Sequence, residues 1–308
     1  MAHVLLALSN GAVLLFVIAT MLAMGLSLTI SQILAPLRNV RLVVLALVAN
    51  FVLVPLLAFA LIHIIPLGDP LKIGVILVGT AAGAPFLPKL AQFAHGGVAF
   101  SVGLMVLLMI VTIIYLPVVL PLLLPGVKVN PFSIAISLIL TMLLPLGIAL
   151  LIRARYPEPA GQLQPLMTQV SNVALLLVLV TSLLANFEEL IGVIGTGGIL
   201  AALALVGGGV VIGSLLGGPG GDTRSVLGLG TGQRNISAAL LVSTQSFSDP
   251  NVLAMVLVGS TVGLLVLLPL AFEIGKRTAP KAMPGSTVTP ASGSVTADAP
   301  PPGAAPVA

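Results

Sequence analysis

Between Val226 and Phe247 runs an apolar segment long enough to cross a bilayer, yet its first half reads Gly228-Leu229-Gly230-Thr231-Gly232-Gln233-Arg234-Asn235. An arginine at bilayer depth costs about 2.5–3.5 kcal/mol even on the lenient insertion scale. Each glycine inside a helix costs a further ~1 kcal/mol relative to alanine. In hydrocarbon every backbone N–H and C=O needs a partner, so an interrupted helix is tolerated only where protein encloses it or it lines a cavity. The segment therefore predicts a broken membrane helix, with Gly228, Gly230 and Gly232 as the break and Gln233, Arg234 and Asn235 as candidate substrate ligands.

The rest of the chain agrees with a membrane setting. It is 58% hydrophobic and 6% charged, where soluble domains carry about 25% charged residues. A span needs roughly 20 apolar residues, which predicts about nine transmembrane helices near 4–30, 40–65, 71–93, 98–124, 132–152, 166–185, 191–216, 226–247 and 251–272. The first run is far longer than a signal-peptide core and lacks a basic flank, so it is expected to span rather than be cleaved. The chain has no cysteine, which rules out disulfides, thiolate metal sites and cysteine nucleophiles. No cofactor motif, metal-ligand cluster or nucleic-acid signature is present, and the net charge of +4 is accounted for by topology.

That topology follows from the twelve basic residues. Arg38, Arg41, Arg153, Arg155, Arg224, Lys276, Arg277 and Lys281 fall on one side of the expected spans, and Lys72 and Lys128 on the other. The positive-inside rule then predicts an outside N-terminus and a cytoplasmic C-terminus, in the cell (inner) membrane. After residue 277 the composition turns to Pro, Ala, Ser, Thr and Gly, and a disordered Pro/Ala-rich tail is expected over 278–308. Residues 1–277 are expected to form the transmembrane domain. Within the span at 191–216, Gly209 and Gly213 make a small-xxx-small pair that predicts close helix packing.

A second interruption lies in the third span, at Gly79-Thr80-Ala81-Ala82-Gly83-Ala84-Pro85-Phe86-Leu87-Pro88-Lys89. Gly83, Pro85 and Pro88 are the expected break positions, because proline removes a backbone donor and bars the preceding turn. Four spans separate the two breaks, so the broken segments run in opposite directions, which suits an inverted repeat. Paired interrupted segments in corresponding places point to a transporter site near the midplane.

These residues resemble a known group. Met24-Gly25-Leu26-Ser27-Leu28-Thr29, Asn50-Phe51 before Val54-Pro55, Gly74 to Gly79, Ala94 to Val102, then Gly232, Asn235 and Ala238-Ala239-Leu240 are together similar to the bile acid:sodium symporter family, over about 12–272. The resemblance implies a core domain (about 40–124 and 191–272) with two broken crossing helices, and a panel domain (about 4–30 and 132–185). It also implies where sodium oxygens should stand, and there the chain departs. Leu87 and Pro88 replace a Ser-Asn pair, Gly230 replaces a shared glutamate, Arg234 a glutamine, and Asn50 another glutamine. The following helix reads Gly103-Leu104-Met105-Val106-Leu107-Leu108-Met109 in place of hydroxyls. Sodium coupling is not carried over.

Arginine carries five N–H donors and does not deprotonate in proteins. Arg234 is therefore expected to fill the space of a lost sodium ion, bonding carbonyls at the breaks, and to draw an anionic substrate with help from half-helix N-termini. A purely structural arginine is the competing reading. Asn50, Gln233 and Asn235 are candidate substrate or helix-break ligands. Gln169 and Asn172 are candidates to line the panel side of the cavity. Lys89 either snorkels to the interface or, if buried, serves in coupling. The expected function is secondary transport of a small organic anion by alternating access, without sodium and with no cofactor or metal. Carriers of the arsenite-permease or auxin-efflux type and a non-transporting sensor or assembly subunit remain alternatives. Substrate, direction and oligomeric state are left open.

Overall fold

The computed structural model describes residues 2–34, 38–124, 130–185 and 192–278, which are helical and contain no strand. Lys128, Glu188, Glu189, Lys281 and the expected tail lie outside the described residues. Helix α1 is Ala2–Ser27 and α2 Ile30–Leu34. Helices α3 (Val40–Val48) and α4 (Val54–Ile64) are one continuous rod joined by a π-helical turn, Ala49–Leu53. Helices α5 (Asp69–Thr80) and α6 (Leu87–Phe93) are separated by non-helical chain, and α7 is Val98–Leu123. Helices α8 (Pro131–Leu138) and α9 (Leu144–Arg155) join through a second π turn, Ile139–Leu143, and α10 is Pro157–Ala185. Then follow α11 (Gly198–Leu216), α12 (Gly221–Gly232), α13 (Ile236–Ser246) and α14 (Pro250–Thr278).

Among the described residues six helical segments are long and apolar enough to cross a membrane: Asn10–Ser27, Val40–Ile64, Val98–Leu123, Pro131–Arg155, Gly198–Leu216 and Pro250–Thr278. The two interrupted segments are not in that set, because each divides into helices of at most 12 residues.

The first break runs from Ala81 to Phe86. Gly83 and Pro85 lie in it, whereas Pro88 occupies the first turn of α6, where its missing N–H costs nothing. Gly83 has φ +81°, and its Cα approaches the backbone of Met109 so closely that a Cβ would overlap it. Glycine is needed here on both grounds.

The second break differs from expectation. Helix α12 runs unbroken through Gly228 and Gly230 to Gly232, and the interruption is Gln233-Arg234-Asn235. These glycines bring helices together. A Cβ on Gly232 would lie 2.6 Å from Val210 Cγ2, and one on Gly228 would collide with Ser214 Oγ across the contact with α11. From the α11 side, a Cβ on Gly209 would sit 2.8 Å from the Thr231 carbonyl, and one on Gly213 would strike the Leu227 carbonyl. The small-xxx-small pair thus packs α11 against α12 as expected. The helical cost of the glycines is offset by backbone contact that a larger residue would prevent.

Candidate functional site

The two breaks touch. The Asn235 N–H donates to the Ala81 carbonyl at 2.9 Å, tying one interruption to the other. Arg234, 5% exposed, reaches across the junction. Its Nε–H donates to the Val78 carbonyl at 3.1 Å and its Nη2 to the Gly79 carbonyl at 2.7 Å. Its Nη1 donates to the Thr231 carbonyl at 3.1 Å and to Asn50 Oδ1 at 3.0 Å. Val78 and Gly79 lie in the last turn of α5, and Thr231 in the last turn of α12. The last carbonyls of a helix have no partner within it, and each C-terminus carries roughly half a negative charge. One guanidinium therefore meets two such ends and accounts for four of its five donors.

Side chains meet further backbone groups around the breaks. Thr112 Oγ1 donates to the Ala82 carbonyl and accepts from the Ala82 N–H, both at 3.0 Å, standing in for both helical neighbours of that residue. Asn50, fully buried on the π turn, donates to the Ala46 carbonyl at 3.0 Å and to Thr231 Oγ1 at 3.1 Å while accepting from Arg234. Pro55 has no N–H for the Phe51 carbonyl, and the Tyr115 hydroxyl donates to that carbonyl at 2.7 Å.

Beside the junction is a cavity of about 880 Å³. One wall holds Gln233, Arg234 and Ser237 from the second break, and Pro85, Pro88 and Lys89 from the first. The facing wall comes from α1 and α10. On α10 the lining residues Gln164, Thr168, Ser171 and Asn172 recur at intervals of four, three and one, a stripe on one helical face. From α1, Thr20 Oγ1 hydrogen-bonds Ser171 Oγ at 2.6 Å, and Met24 adds apolar surface. Among the described residues two cationic side chains and no carboxylate line this space.

The expected site residues divide into three groups. Gln233 and Arg234 line the cavity, and buried Gln233 Oε1 lacks a hydrogen-bond partner. Asn235 is not on the cavity wall. Its Oδ1 caps α13 through the Ala238 N–H at 3.1 Å, leaving Nδ2 unpartnered beside a small void bounded by Gly259, Ser260 and Gly263. Asn50 faces neither space and is committed to the junction.

Lys89 is exposed at the cavity, with Nζ 3.0 Å from Gln92 Oε1 and 5.0 Å above the Phe93 ring. The burial that a coupling lysine needs is absent. Asn172 lines the cavity as expected and Gln169 does not. Thr112, Thr231, Tyr115 and, on α10, Gln164, Thr168 and Ser171 were not singled out. The stripe's helical spacing was the available signal, but the two threonines and the tyrosine had none, because hydroxyls in apolar helices usually bond their own backbone.

A protein-family model, the Sodium Bile acid symporter family, matches residues 12–211. The chain belongs to that family. The match covers the first break, α1 and α10, and stops before α12, so Arg234 and the second break lie outside it. No curated protein matches the chain. The family and the apolar helices together make this an integral membrane protein of a transporter family. At three positions where sodium oxygens were implied, the structure has apolar packing: a Cβ on Gly230 would lie 2.8 Å from Leu87 Cδ2 and 3.5 Å from Leu104 Cδ2. Among the described residues no three His, Cys, Asp or Glu converge on a metal position.

Proposed function

We propose that this family member is a secondary transporter that moves a small organic anion by alternating access without sodium. The observation that carries the reading is the cavity beside the crossed breaks, lined by Lys89 and Arg234 with no acidic side chain. Anions are favoured there by the exposed Lys89 ammonium, whose hydrogen-bond partner is the neutral Gln92 amide, and by the Arg234 donor not used in the junction. Gln233, with an unmet acceptor, is the polar group of the junction best placed to fix a substrate N–H or O–H. Asn50 and Asn235 support the junction rather than touch the substrate.

In this reading Arg234 takes over the bridging work of a sodium ion, and the Leu87–Gly230–Leu104 packing fills the other ion's place. The core domain (about 40–124 and 191–272) is an inverted repeat within about nine spans, and it moves against a panel domain built from 4–30 and 132–185. The cavity lies between them. The N-terminus is outside and the C-terminus cytoplasmic, in the cell membrane.

Uptake of labelled carboxylates and sulfonates into liposomes holding the purified protein tests this. Saturable uptake at equal rate with and without a sodium gradient is expected. Uptake that requires sodium would refute the ion-free reading, and no uptake of any anion would refute the carrier.

A further inference from the structure

A carrier moves a second ion with its cargo only if some group binds that ion in one half of the cycle and releases it in the other. Among the described residues no carboxylate, histidine or lysine is buried to do so, and Leu87, Gly230 and Leu104 pack together where sodium oxygens were implied. Asp69, Glu158, Asp222, Asp249, Glu273, His63, His95 and Lys89 are all exposed. No acidic or histidine cluster forms a metal position.

The one buried charged side chain among these residues is Arg234, and its charge stays with the protein. It is held by Val78, Gly79, Thr231 and Asn50. The converging ends of α5 and α12 supply about one negative charge between them, which balances the guanidinium whether or not substrate is present. The junction is thus electrically complete in the empty carrier, which can return without an ion.

We infer that the protein moves its anion unaccompanied, so each turnover transfers the cargo's own negative charge and a negative-inside membrane potential drives it outward. This rests on the anion-carrier reading above. The membrane potential does work on every charge that crosses. At about 100 mV, negative inside, it would distribute a monoanion about 50-fold toward the outside. A sodium-coupled relative would instead draw its cargo inward.

The test uses the full chain in sodium-free liposomes, with potassium gradients and valinomycin setting the potential to either sign. The probes are radiolabelled taurocholate and p-toluenesulfonate, whose sulfonates stay singly negative at every assay pH. A positive-inside potential should accelerate uptake and produce accumulation approaching 50-fold at about 100 mV, and a negative-inside potential should suppress it. Uptake indifferent to potential, or seen only when a sodium or proton gradient is imposed, would overturn the inference while leaving an anion carrier in place. No uptake of either probe under any condition would count against the anion reading itself, and this inference would fall with it.

Discussion

Replacing Arg234 with methionine is the most direct test of what joins the two breaks. Methionine keeps an unbranched apolar stem, stops two atoms short of the terminal guanidinium nitrogens and removes every donor. Four acceptors then lose their partner in a region closed to water: the carbonyls of Val78, Gly79 and Thr231, and Asn50 Oδ1. A buried acceptor left unpaired costs about 1–2 kcal/mol, so four cost about 4–8 kcal/mol. Against that stands relief from burying a cation, about 3 kcal/mol on the insertion scale. The difference is a net loss of about 1–5 kcal/mol. Thermal unfolding in detergent should therefore show a lowered midpoint for Arg234→Met, with transport abolished in liposomes. Arg234→Lys keeps the charge but lacks the planar fork, so it should fall between the two. An Arg234→Met protein as stable as the parent would refute the reasoning. So would normal uptake, since the breaks would then be held by something else.

Thr112→Val is nearly isosteric and strips both bonds from Ala82, at a cost of about 1–3 kcal/mol. Thr112→Ser should recover most of that loss in the same melt. Two glycines of one helix should behave oppositely. Gly213→Ala places a methyl against the Leu227 carbonyl and should cost about 1–3 kcal/mol by overpacking. Gly207→Ala has open space around it and should be neutral or gain up to ~1 kcal/mol from helix propensity. Lys89→Gln removes an exposed charge at the cavity, where such a contact gives about 0.5–1 kcal/mol. The expected result is a two- to fivefold rise in KM for the anion, roughly, with the melting midpoint unchanged. A variant with unaltered KM would take Lys89 out of the site.

The breaks were legible because they violate the rules of a membrane helix so openly: an arginine and a run of glycines at bilayer depth admit few explanations. That the guanidinium would bond break carbonyls also followed from the chemistry of helix ends. The placement of the second break did not. Alternating glycines read as interruption when weighed by propensity alone, yet α12 stays helical through Gly230 because α11, α6 and α7 press against it. Tertiary contact overrode a local cost that sequence can count but cannot see repaid. Asn235 was legible as polar and important, but not as a cap facing away from the cavity. Thr112 and Tyr115 were invisible for a simpler reason. Their partners, Ala82 and Phe51, lie 30 and 64 residues away in the chain, and nothing in the intervening residues signals the pairing.

The opposite wall of the cavity has a different freedom. Gln164, Thr168, Ser171 and Asn172 make no bond to either break, so changes among them leave the crossing intact. On the proposed carrier reading, substitutions on this face of α10 would change what the cavity accepts while the bonds between the two breaks stay in place.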